Sequence, residues 1–133
     1  MKAINVSGKR KKAIARAVVN QGTGKIRINN QLLDTYNQRM YRLKILEPVF
    51  IAGDIANKVD IHIRVNGGGI SSQAEVSRLV IAKGLVEYTK DESLKSAFLN
   101  YDRNLLVADV RRKAPANPNR HGQARAKGQK SYR

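Results

Sequence analysis

The sequence contains no cysteine, which excludes disulfides and thiolate zinc sites. Its only histidines are His62 and His121, too few for a His-based metal cluster. Long apolar runs are missing as well. The longest are four residues, as in Val49–Ala52 and Leu79–Ala82. A membrane span needs ~20 such residues and a signal peptide an early stretch of ~7–15. The expectation is a soluble, cytoplasmic protein with no membrane partner. Acidic residues are missing from two places in particular, before Asp34 and after Asp109.

What is present is positive charge. In 133 residues there are 26 Lys+Arg against 10 Asp+Glu, a formal charge of +16, with an isoelectric point near 10.6. The length suits one domain of ~100–150 residues. Residues 1–33 hold eight basic residues, residues 34–110 hold ten of each sign, and residues 111–133 hold eight basic residues. The whole excess therefore lies in the two ends. A solubilising surface needs a net charge of only ~2–8 with both signs interspersed. Acid-free ends repel themselves unless a polyanion lies against them, and nucleic acid fits best. Neither end joins its charge to a large apolar helical face, which disfavours an anionic membrane.

The periodicities predict both strands and helices. Ala13–Asn20 reads as a strand with Ala13, Ala15, Ala17 and Val19 on one face. Lys25–Asn29 reads as a second strand with Ile26 and Ile28 inward, joined to the first through Gln21–Gly24 as a hairpin. From Asp34 to about Leu46 the pattern is helical, with Tyr36, Met40, Leu43 and Ile45/Leu46 as the apolar stripe. Pro48 predicts a break there, and a short second helix to Ala52. Val59–Val65 alternates cleanly and is the clearest strand. Ser72 followed by Glu75 predicts a capped helix from Ser72 to about Tyr88, apolar over most of its circumference and hence mostly buried. Thr89 followed by Glu92 predicts a cap for a helix over Leu94–Asn100, and Leu105–Val110 reads as a short strand.

The domain is expected to end at 113. Residues 114–133 contain no Val, Ile, Leu, Met or Phe, and are interrupted by Pro115, Pro118, Gly122 and Gly128. Such a tail buries too little apolar surface to offset its ordering entropy, so alone it should be disordered. Extended, its twenty residues reach roughly 65–70 Å.

Gly67-Gly68-Gly69-Ile70-Ser71-Ser72 is the most site-like segment. Glycines let backbone N–H groups converge, and a following helix adds partial positive charge, an arrangement that favours phosphate. The spacing matches neither a Walker loop nor a dinucleotide fingerprint. Asp60, His62 and Arg64 share a strand face, better read as solvated or partner-facing than as an acid/base set. No nucleophile elbow or metal loop is present. Non-catalytic, cofactor-free binding of nucleic acid is therefore expected, through backbone and shape rather than direct base readout. The cations assigned to it are Lys9, Arg10, Lys11, Lys12 and Arg16 at the start, and Arg111, Arg112, Lys113, Arg120, Arg125 and Lys127 toward the end. Gly67, Gly68, Gly69, Ser71 and Ser72 join them.

Several segments, in order, resemble ribosomal protein nine of the small subunit. They are Gly8–Ala17, Gly22–Asn29, Val65–Ala74 and the stretch around Asp109–Lys113 with the cationic C-terminus. The ending Lys130-Ser131-Tyr132-Arg133, and Asn30, resemble the archaeal and eukaryotic branch, and the short chain fits an archaeal member best. The resemblance implies an α+β domain with a mixed sheet covered by helices on one face, similar to the second domain of ribosomal protein five. It implies a place in the head of the small subunit, with the 3′ major domain of the rRNA and neighbouring head proteins as partners. It also implies that the tail reaches the anticodon stem-loop of the peptidyl-site tRNA, with Arg133 in contact and Lys130 and Tyr132 in support.

Two rival readings make different predictions. A free-standing RNA or DNA chaperone binds many RNAs loosely, with no fixed stoichiometry on ribosomal particles. A relative of the small-molecule kinases that share the fold uses its glycine loop to bind ATP saturably. The resemblance favours a ribosomal protein with no small-molecule substrate.

Overall fold

The computed structural model describes residues 3–36 and 38–118. Five strands form one sheet: β1 (Ile4–Arg10), β2 (Ala13–Gln21), β3 (Ile26–Ile28), β4 (Gln31–Leu32) and β5 (Val59–Asn66). Three helices follow or interrupt them: α1 (Arg39–Ala52), α2 (Ile70–Thr89) and α3 (Glu92–Tyr101). The strand order is β1-β2-β5-β3-β4. All pairs are antiparallel except β5 with β3, so the sheet is mixed, as expected of an α+β domain.

Alternation decides which face is covered. Ala13, Ala15, Ala17 and Val19 on β2 and Val59, Ile61, Ile63 and Val65 on β5 are buried, while the residues between them are mostly exposed. The small side chains of β2 let α2 lie close across β1, β2 and β5. Helices α1 and α3 pack on α2 in turn. That is why α2 is apolar nearly all round, with Val76, Val80, Ile81 and Leu85 fully buried between two layers. Burying each such side chain contributes about 1.5–3 kcal/mol.

Several expectations are corrected. The expected hairpin of β2 with β3 does not form, because β5 lies between them. The Gly22–Lys25 connection grips the start of β5 instead. Gly22 N–H donates to Lys58 O, Gly24 N–H to Val59 O, and the Asp60 carboxylate accepts Thr23 N–H and Lys25 N–H at 2.8 and 2.9 Å. Those two backbone donors, Lys25 first, hold the Asp60 carboxyl below the usual range. The true hairpin pairs β2 with β1, whose inward positions, Ile4, Val6, Gly8 and Arg10, end in a glycine and an arginine that hide the alternation.

Pro48 does not break α1, which runs continuously from Arg39, after a 3-10 turn over Leu33–Thr35. Its ring is buried in the core, where packing offsets the missing N–H bond. The buried stripe is Ile45, Pro48 and Ala52, while Met40 and Leu43 of the expected stripe are 69% and 47% exposed. Helix α2 begins at Ile70, with Gly69 as N-cap and no side-chain cap, because Glu75 is drawn to cations outside the helix. Thr89 closes α2 rather than capping α3. Asp91 caps α3, accepting Ser93 N–H at 2.9 Å. The strand expected over Leu105–Val110 is absent. Leu105 ends a 3-10 turn and is apolar because it is fully buried beside α2 and α3, whereas Val110 is exposed.

Candidate nucleic-acid interface

Arg10 pairs with Ala13, which leaves Lys11-Lys12 as the two-residue loop of the β1–β2 hairpin. At the same end of the sheet β5 runs into Gly67 and Gly68, both with positive φ (78° and 67°). These glycines serve packing first. A Cβ on Gly67 would stand 2.5 Å from the Lys12 carbonyl oxygen, and one on Gly68 would stand 2.9 Å from the Ala13 Cβ. The glycine turn thus seats directly on the hairpin backbone and fixes where Lys11 and Lys12 project. Gly69 has open space around it and starts the 20-residue helix α2. Of the three glycines, it is the one free to meet a phosphate at the positive end of a helix.

Residues 111–113 pass beside this turn. Arg111, Arg112 and Lys113 come round to face Lys9, Lys11 and Lys12, and together with Gly68, Gly69 and Ser72 they line one cleft that also touches Arg10 and Ile14. Seven cations and no acidic side chain line it. Two clusters about a hundred residues apart in sequence therefore form one surface. Ser71 is exposed next to it.

The cations do not play equal parts. The Arg10 side chain is turned inward and only 12% exposed. Its Nε donates to Glu75 Oε2 at 2.6 Å, and its Nη2 lies 3.4 Å from Asp109 Oδ2. Lys44 on α1 donates to the other Glu75 oxygen at 3.0 Å. Burial pushes the Glu75 carboxyl up, but the hydrogen bonds from Arg10 and Lys44 outweigh it, and the group lies below the usual range. Arg111 forks onto Asp109 (Nη2–Oδ2 2.7 Å, Nε–Oδ2 2.9 Å) and donates its backbone N–H to the same carboxylate. The Arg111 side-chain and backbone donors hold the Asp109 carboxyl far below its ordinary range. A parallel link joins Arg78 on α2 to Glu47 on α1 and to Asp102 after α3. The ladder Lys44–Glu75–Arg10–Asp109–Arg111 ties residues 109–111 to the hairpin. Lys9, Lys11, Lys12, Arg112 and Lys113 have no acidic partner among the described residues, and their charge is left for a ligand.

Arg16 stands apart from the cleft, on the uncovered sheet face with Arg27, His62 and Arg64. Sequence reasoning missed Arg27 as a candidate and read Arg64 only as part of a strand surface. The signal was the strand alternation, which puts both on the face of Arg16. Asp60, His62 and Arg64 form no catalytic set, since the Asp60 carboxylate is occupied by the loop at Thr23–Lys25. Among the described residues no group of His, Asp and Glu is placed to hold a metal, and no helix is long and apolar enough to cross a membrane. The expected contacts at Arg120, Arg125, Lys127, Lys130, Tyr132 and Arg133 lie outside the described residues.

The geometry is that of a cationic cleft with no acidic side chain in its lining. The family model described as ribosomal protein S9/S16 matches residues 8–133. The chain is 46% identical over 134 residues to the small ribosomal subunit protein uS9 of two strains of Methanococcus maripaludis, covering all of both chains. The cleft's seven cations and its glycine turn fall within the matched region, and the family comprises ribosomal structural proteins rather than enzymes. This chain belongs to the ribosomal protein S9/S16 family, in its archaeal type.

Proposed function

We propose that the chain is a structural component of the small ribosomal subunit. In this reading it sits in the head, binds the 3′ major domain of the rRNA beside neighbouring head proteins, and works in the cytoplasm with its ribosome. The observation that carries the proposal is the cleft. It joins the acid-free hairpin loop, the N-terminus of α2 and the cations at 111–113, so RNA phosphates meet fixed positive charge rather than a diffuse coat. The relatives named above supply the subunit. The domain, residues 1–113, shares the sheet-and-helix arrangement of the second domain of ribosomal protein five.

Residues 114–133 form the second functional part. The ladder through Asp109 holds Arg111 at the edge of the domain, so the tail starts from a fixed point. From there its length allows a reach of roughly 65–70 Å. Arg120, Arg125 and Lys127 neutralise rRNA phosphates along that path, and Arg133, with Lys130 and Tyr132, meets the anticodon stem-loop of the peptidyl-site tRNA. Deleting Tyr132 and Arg133 is expected to leave the chain in small subunits at full occupancy and to weaken tRNA retention a few-fold, read by filter binding to purified subunits. Loss of the chain from subunits would contradict this reading by showing that the end is needed for assembly.

A further inference from the structure

The sheet has one uncovered face, and its charge is not that of an ordinary solvated surface. Strand register places Arg16 on β2 directly opposite Arg64 on β5, and in the next row Arg27 on β3 lies beside His62 on β5. All four side chains are exposed, and adjacent strands are only about 4.8 Å apart. Like charges facing across a strand pair repel. Yet none of the three arginine side chains has an ion pair or hydrogen bond among the described residues. The only acid on this face of the strands is Asp60, at the far end, and its carboxylate is taken by two backbone N–H groups.

We propose that this face is a second RNA surface, on which Arg16, Arg27 and Arg64 grip the phosphate backbone of a helical RNA segment. The inference rests on the rRNA reading above and extends it beyond the cleft, to a face of which the sequence alone assigned only Arg16. Two features select the occupant. The face is continuous with the cleft, because Lys9 and Ile14 lie opposite each other on the same face and also line the cleft. One positive surface therefore runs from Lys113 over the hairpin to β3, which fits a polyanion longer than an acidic peptide patch. The strands also carry no Phe, Tyr or Trp, and His62 is the single ring on this face, which is too little to stack a run of splayed bases. A flat cationic sheet without a row of aromatics suits the phosphates and shallow groove of a folded helix.

The test uses the full-length chain and a small-subunit rRNA transcript, with affinity measured against potassium chloride concentration. Arg27→Ala/Arg64→Ala should lower the salt slope by about 1.8 and the affinity roughly 30-fold near physiological salt, with an unchanged melting curve. Arg27→Lys/Arg64→Lys should keep the slope. A slope unchanged in the alanine pair, while Lys11→Ala/Lys12→Ala lowers it, overturns the sheet surface and leaves the cleft standing. Salt-independent binding by the wild-type chain overturns the parent reading instead. A second readout does not depend on the arginine variants. Because the chain has no cysteine, Val18→Cys offers one attachment point for an iron–EDTA cleavage reagent in the middle of the face. Cuts clustered in one rRNA helix support the proposal. Absence of cuts in reconstituted subunits, the result expected if a protein covers the face, overturns it.

Discussion

Replacing Lys11, Lys12, Arg112 and Lys113 together by alanine is expected to lower rRNA affinity by ~10²–10³-fold at physiological salt and the salt slope by about 3.6. The slope follows from the number of phosphates neutralised. Each phosphate that the variant no longer neutralises takes about 0.9 off the slope on duplex RNA, a little less on single strands. All four side chains are exposed and make no ion pair among the described residues, so the substitutions leave the core untouched. Arg10 stays in place in this variant. Truncating it would strand Glu75 and Asp109 without their shared partner, and weaker binding would then confuse charge with structure. The measurement is a binding titration at several salt concentrations with a melting curve for each protein. A parallel drop in affinity at every salt concentration, with the slope unchanged, would mean that the cleft contributes something other than phosphate neutralisation.

The second large effect is on stability. Gly67→Ala is expected to cost about 2–4 kcal/mol, read from urea unfolding at equilibrium. Two causes add. The residue sits at φ +78°, where an L side chain is strained, and the new Cβ would meet the Lys12 carbonyl oxygen at 2.5 Å. That oxygen belongs to backbone and cannot swing aside as a side-chain tip would. Gly69→Ala, two residues on, is the control. Its φ is −103° and nothing lies within 4 Å of the added carbon, so the only expected cost is that of Ala for Gly at the N-cap of α2, no more than about 1 kcal/mol. Equal costs at both positions would refute the seating of the glycine turn on the hairpin. The pair also separates two uses of a glycine run that look alike in sequence. Gly67 and Gly68 allow close backbone packing, and Gly69 leaves room at the end of a helix.

Strands β2 and β5 and helix α2 were legible from sequence because their apolar periods are long and uninterrupted. The failures come from quantities that a period does not carry. A two-residue period names the buried face of β2 and β3 but not their neighbour, and β5, more than thirty residues later, takes the place between them. In α1 the proline that looks like a stop is itself a core residue, so discarding it shifts the stripe from Ile45, Pro48 and Ala52 to the exposed Met40 and Leu43. Glu75 has the spacing of a cap, yet an arginine and a lysine from other elements outcompete a backbone N–H for it. Long-range ion pairs of this kind leave no local trace.

The candidate site divides in the same way. Its charges were plain in the acid-free ends, and Gly67–Ser72 stood out as a turn before a helix. That residues 9–12 and 111–113 share one cleft was not legible, since it depends on Asp109 reaching back to Arg10. The split of the cationic residues into a cleft and a sheet face was hidden too. It requires the register of β2, β3 and β5, which places Arg27 and Arg64 with Arg16.

Sedimentation of a cell lysate at low and then high salt tests the central claim most directly, with the chain quantified in every fraction. The account predicts one copy per small subunit, retained at high salt, because many phosphate contacts from one ordered surface and a tail act together. A chain that washes off the particles into many fractions would contradict it, and would make the basic ends a general adhesive for nucleic acid.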